Sequence, residues 1–77
     1  MTKIDFDKFL NYLIWKNLTV KKTNGLRVEV SDKQGRTIAL YRKKSCYDCE
    51  YESDFYLIKH SFNLEFDNQE FIDYCKE

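Results

Sequence analysis

The chain has 77 residues and no proline, with thirteen Lys and Arg against thirteen Asp and Glu. That length fits one domain over residues 1–77 and excludes a large core, because so short a chain buries only about 60–65% of its unfolded surface. No apolar run approaches the ~18 residues of a membrane span, and Asp5, Asp7, Lys8 and Lys16 break the apolar core that a signal peptide needs, so we expect a soluble, cytoplasmic protein with no membrane partner.

Three cysteines are an odd number, which suits free thiols in a reducing compartment better than a secreted disulfide framework. Ten Lys, one Ala and two Gly, with many Phe, Tyr, Ile and Asn, fit an AT-rich coding genome and the type of small accessory protein carried by phages and mobile elements. The zero net charge hides an asymmetry. Residues 1–44 carry eleven basic and four acidic side chains, net +7, and residues 45–77 carry two and nine, net −7. Such a split marks either an interaction face or two halves that neutralise each other within one fold.

In chain order, Phe6, Phe9, Leu10, Leu13 and Ile14 recur at helical spacing, and Thr2 followed by Asp5 supplies a start signal. The pattern predicts an amphipathic helix over residues 4–17. Its apolar stripe centres on Phe6, Phe9, Leu10 and Leu13, which leaves Trp15 on the far side with Lys8, Asn11 and Tyr12. Three strands follow, at Leu18 to Lys22, Leu26 to Ser31 and Arg36 to Lys43. They are joined by an Asn24-Gly25 hairpin of type I′ and a turn at Asp32 to Gly35.

The stretch from Ser45 to Phe55 supports two geometries. With period two, Tyr47, Cys49, Tyr51, Ser53, Phe55 and Leu57 share one parity, while Asp48, Glu50, Glu52, Asp54 and Tyr56 share the other. This alternation predicts a half-buried fourth strand, paired to Arg36–Lys43 through a turn at Lys43 to Cys46, with its carboxylates in water. Read instead as a C-x-x-C, Cys46 and Cys49 could join His60 and Cys75 in a Cys₃His zinc set. The absence of a turn former beside the cysteines and the place of Cys75 on an apolar stripe argue against zinc. The surrounding carboxylates oppose the thiolate that redox chemistry would need. We therefore expect no cofactor, with zinc as the alternative.

Ile58 to Phe66, with Ile58, His60, Phe62, Leu64 and Phe66 on one parity, reads as a weak further strand or as an irregular lead into the last helix. Asp67 with Glu70 caps a last helix carrying Phe71, Ile72 and Cys75 inward and Glu70, Asp73 and Glu77 outward, with Tyr74 on the flank. The expected fold class is α+β, an antiparallel sheet of four strands, or five with Ile58–Phe66, between an N-terminal and a short C-terminal helix in the order α-β-β-β-β-α.

For function, the expected partner-binding set is Asp48, Glu50, Glu52, Asp54, Glu70, Asp73 and Glu77 with Tyr12 and Trp15. An acidic strand repeats its carboxylates at about 6.6–6.8 Å, close to the phosphate spacing of a nucleic-acid strand. The reading is a non-enzymatic regulator or inhibitor that presents an acidic face to a basic protein partner, one that itself handles nucleic acid. A homodimer is a second way to cover Trp15. Direct nucleic-acid binding through Lys21, Lys22, Arg27, Arg36, Arg42, Lys43 and Lys44 is the weaker reading, because strand parity scatters these charges between faces and turns.

Overall fold

The computed structural model describes residues 1–44 and 46–77, so Ser45, within the expected turn from Lys43 to Cys46, lies outside the described residues. The class is α+β, in the order β1 (Lys3–Ile4), α1 (Phe6–Trp15), β2 (Thr19–Lys22), β3 (Arg27–Ser31), β4 (Thr37–Tyr41), β5 (Cys46–Tyr47), α2 (Asp48–Phe62) and α3 (Asn68–Cys75). β2, β3 and β4 form one antiparallel sheet in that order, and β1 pairs with β5 in a separate two-stranded ribbon.

α1 forms where the apolar spacing placed it, but Asp5 rather than Thr2 caps it, its Oδ1 accepting from the Lys8 N–H at 3.1 Å. The helix stops because Asn17 turns left-handed at φ 69°, which lets Leu18 N–H reach Leu13 O at 3.1 Å. Thr2 is instead bound to the start of α2, where its carbonyl accepts from Asp48 N–H and Asp48 Oδ1 accepts from its own N–H.

The hairpins have the expected register, with Val20 opposite Val30 and Val28 opposite Leu40. Of the Asn24-Gly25 pair only Gly25 takes a positive φ, 73°, so the turn is not the type I′ form, which needs two. At the second turn Asp32 holds the chain together, its Oδ1 accepting from Gln34 N–H at 3.0 Å and Arg36 N–H at 2.9 Å. Val28, Val30 and Leu40 line the buried sheet face; Lys21, Glu29 and Tyr41 belong to the opposite one.

The largest departure is at the expected fourth strand, which is the fifteen-residue helix α2. Tyr51, Phe55, Ile58 and Phe62, spaced i, i+4, i+7 and i+11, are all buried. This stripe crosses the boundary between the two strands read at 47–57 and 58–66, and each half alone carries too few members to show it. Local chemistry supports the helix at both ends. Asp48 and Glu50 sit in the first turn and Lys59 and His60 in the last, each complementing the helix dipole. Glu50 Oε2 accepts from Tyr47 N–H at 2.8 Å, and Asn63 ends the helix at φ 52°.

α3 begins as expected, with Asp67 Oδ1 accepting from Gln69 N–H at 2.8 Å. Its Phe71 ring stacks on Phe55 at 4.4 Å and meets Phe9 edge-on at 5.5 Å, joining all three helices. The chain ends close the core around Ile4, where Asp5 N–H donates to Cys75 O and Glu77 N–H to Lys3 O.

Burial gives this core an alkaline weakness. It pushes the Cys75 thiol and the Tyr51 hydroxyl each up to about 12, and raises the Tyr12 hydroxyl with help from Glu70. Unfolded, these protons leave near the ordinary 9.0 of a thiol and 10.0 of a phenol. Between about pH 9 and 12 the unfolded chain therefore binds fewer protons than the folded one, and stability falls as pH rises. Thermal midpoints measured at pH 7, 9 and 11 should be level across the first step and drop across the second. Cys75→Ala should lessen the drop, and a flat profile to pH 11 would contradict the burial of these groups.

A candidate interaction surface on α1 and α3

Trp15 closes the last turn of α1, where the apolar stripe has rotated inward and leaves it 55% exposed. Tyr74 on α3, 41% exposed, lies against it with ring centroids 5.5 Å apart and planes 11° from parallel. Lys16 Nζ stands 4.4 Å from the Trp15 ring centroid and 2.6 Å from Glu70 Oε1. A cation therefore already rests on this indole, with a carboxylate to hold it.

Tyr12 supports the pair from below. It is fully buried, which corrects its expected place in the exposed set, because the packing of α3 on α1 covers its side of the helix. Its hydroxyl donates to Glu70 Oε1 at 2.9 Å, so one carboxylate oxygen serves both Tyr12 and Lys16. The Lys16 and Tyr12 hydrogen bonds hold the Glu70 carboxyl below its ordinary value against a smaller opposing effect of desolvation. Asp67, Gln69 and Asp73 complete a shallow groove with Trp15, Glu70 and Tyr74, and Gln69 Nε2 donates to Asp73 Oδ1 at 3.0 Å.

Of the expected partner-binding residues, this groove unites Trp15, Glu70 and Asp73. The helix separates the α2 acids, because residues two apart on a helix face different ways while residues four apart share a face. Asp48 and Glu52 line a small cleft floored by Phe55 and Phe71, whereas Glu50 caps α2 and Asp54 pairs with Lys43 at 2.7 Å. The single row of four carboxylates expected from a strand does not form. Glu77 is exposed at the chain end and does not line the groove. Asp67, Gln69 and Tyr74 were not in the expected set. The spacing of Gln69 and Asp73 at i, i+4, with Tyr74 next to Asp73, was the available signal.

The candidate zinc residues are dispersed. Cys75 is fully buried in the core, Cys46 is half-buried with its thiol donating to Lys44 O, Cys49 is exposed beside Met1, and His60 stacks on Tyr56. Among the described residues no three His, Cys, Asp or Glu side chains group closely enough to hold a metal ion. The basic set is divided as well. Arg36 pairs with Asp32, Arg42 with Asp7 and Lys43 with Asp54. Lys43–Asp54 and Lys16–Glu70 join the basic half of the chain to the acidic half, so part of the charge split is neutralised internally. Among the described residues no helix is long and apolar enough to cross a membrane.

Comparison with known proteins finds no matching family model, no similar curated protein and no similar solved structure.

Proposed function

We propose that this chain is a non-enzymatic docking module, a regulator or inhibitor that acts in the reducing cytoplasm by binding a basic segment of another protein. The observation that carries this reading is the exposed Trp15–Tyr74 stack beside Asp67, Glu70 and Asp73. Exposed Trp and Tyr are the residue types most enriched at binding hot spots, and carboxylates around them favour a cationic partner in both encounter and register. The position of Lys16 on the indole supports a guanidinium or ammonium as the group recognised. Its three free cysteines suit a reducing compartment.

The test is affinity for immobilised Arg- and Lys-rich peptides, with acidic peptides of equal length as controls. Trp15→Ala should weaken capture by about tenfold or more, the scale of a hot-spot residue, while leaving the melting curve unchanged. Asp73→Lys should weaken it as well and flatten its dependence on salt. Equal affinity of wild type and both variants, or equal capture of acidic peptides, would overturn the proposal. Glu70 is unsuitable as a probe because it also ties α1 to α3 through Lys16 and Tyr12.

A further inference from the structure

The three-stranded sheet has a free edge at β2. Thr23 N–H donates to Arg27 O at 3.2 Å, while Arg42 N–H donates to Leu26 O at 2.7 Å and Asp32 N–H to Arg36 O at 3.0 Å. These bonds set the alternation of both ladders, so Arg27, Glu29 and Ser31 turn their backbone groups to β2, and Val28 and Val30 turn theirs to β4. On β2 it follows that Thr19 and Lys21 bond inward, while Val20 and Lys22 direct N–H and C=O away from the sheet. None of the described backbone bonds outside the ladder takes up those four groups. At the other edge α2 flanks β4, tied by Lys43–Asp54 and by Arg36 Nη2 donating to Phe62 O at 3.4 Å.

Beside the β2 edge runs a groove lined by Asp7, Leu10, Asn11, Ile14, Val20 and Lys22. Ile14, which the helical spacing assigned to the core, is 52% exposed there because the sheet ends at β2 and none of the described residues covers that flank of α1. Asp7 is engaged by Arg42 at 2.9 Å, whereas Lys21 and Lys22 form no ion pair among the described residues. Open backbone groups, an uncovered apolar flank and unpaired positive charge thus meet along one line.

We propose that the β2 edge binds an extended segment of another protein, alternating apolar and acidic residues, as a fourth strand of the sheet. The incoming backbone bonds Val20 and Lys22, its apolar residues enter the groove against Ile14, and its carboxylates, on the other face, meet Lys21. A second copy fits less well, since β2 carries no acidic residue: pairing centred on Lys21 sets like charges directly opposite, and pairing centred on Val20 sets Lys21 opposite Thr19 with no carboxylate to meet. This surface is separate from the Trp15 groove and selects the opposite charge.

A suitable probe is the fluorescein-labelled peptide Glu-Val-Glu-Val-Glu-Val-Glu, blocked at both ends. Its controls are a Lys-for-Glu version and a version N-methylated at alternate residues, which keeps every side chain and removes the backbone donors. The acidic peptide should bind with saturation. N-methylation, and separately Lys21→Glu, should each weaken it at least tenfold, and the Val20 and Lys22 amides should gain protection from hydrogen exchange on binding. Trp15→Ala should leave this affinity unchanged, which keeps the result independent of the proposed function. Equal binding of the N-methylated peptide, equal binding of the Lys version, or no binding at millimolar peptide would overturn the proposal. So would amide protection at Val20 and Lys22 that rises with protein concentration alone, since a second copy would then hold the edge.

Discussion

Phe71→Ala should lower the urea midpoint of the chain at 25 °C by about half or more. The ring is 3% exposed and contacts Phe55 at 4.4 Å, Phe9 at 5.5 Å and Tyr12 at 5.9 Å, so its removal opens a cavity where the three helices meet. Truncating a buried Phe costs about 3–5 kcal/mol, counting both lost transfer energy and the cavity left behind. A typical domain has only about 5–15 kcal/mol in total, and one with so small a core lies toward the lower end. Phe71→Leu retains apolar volume and should cost less. The same helix carries Glu70, Asp73 and Tyr74, so the alanine variant should also lose the Trp15 groove, and its capture of basic peptides should fall in step with its folded fraction. A melting curve like that of wild type would show that α3 does not pack as described.

Ile58→Ala and Leu57→Ala should differ sharply although the residues are adjacent. Ile58 is fully buried and Leu57 is 42% exposed, as the helical stripe of α2 requires. The first change should cost about 2–5 kcal/mol and the second within about 0.5 kcal/mol in chemical denaturation. A strand through residues 47–57 would turn Leu57 inward with Phe55 and Tyr51, which makes Leu57→Ala the costly change. Equal effects, or the reverse order, would refute the helix.

That reversal identifies where pattern reading failed. Tyr51 and Phe55 are four apart, so they share a face in a strand and in a helix alike, and carboxylates at every second position from 48 to 54 completed the appearance of alternation. Ile58 and Phe62 decide between the two, because they extend a period of 3.6 and break a period of two. The acidic front, the Lys59-His60 end and the Asn63 stop agree with them. Where the signals were unambiguous the elements formed. The stripe of α1, the β2-β3-β4 meander and the Asp67 cap of α3 are in place, and Trp15 is exposed as its position on the helix demanded.

The candidate surface was legible only in part, for a similar reason. Helical phase alone puts Trp15 opposite the core, and capping alone orients Glu70 and Asp73 outward, so sequence periodicity suffices to name them. It cannot bring them together, because α1 and α3 are more than fifty residues apart and meet only when Phe71 packs against Phe9 and Tyr12. The same packing buries Tyr12, converts it from a presumed contact into the support beneath Trp15 and Tyr74, and gives Glu70 two partners. Local periodicity and capping chemistry determined the class α+β, most of the elements and the outward direction of Trp15. The phase of α2 was written in the longer period that runs through Ile58 and Phe62, whereas the adjacency of the aromatic pair to its carboxylates and the free edge of β2 depend on contacts between distant segments, made when burial of apolar rings draws the elements together.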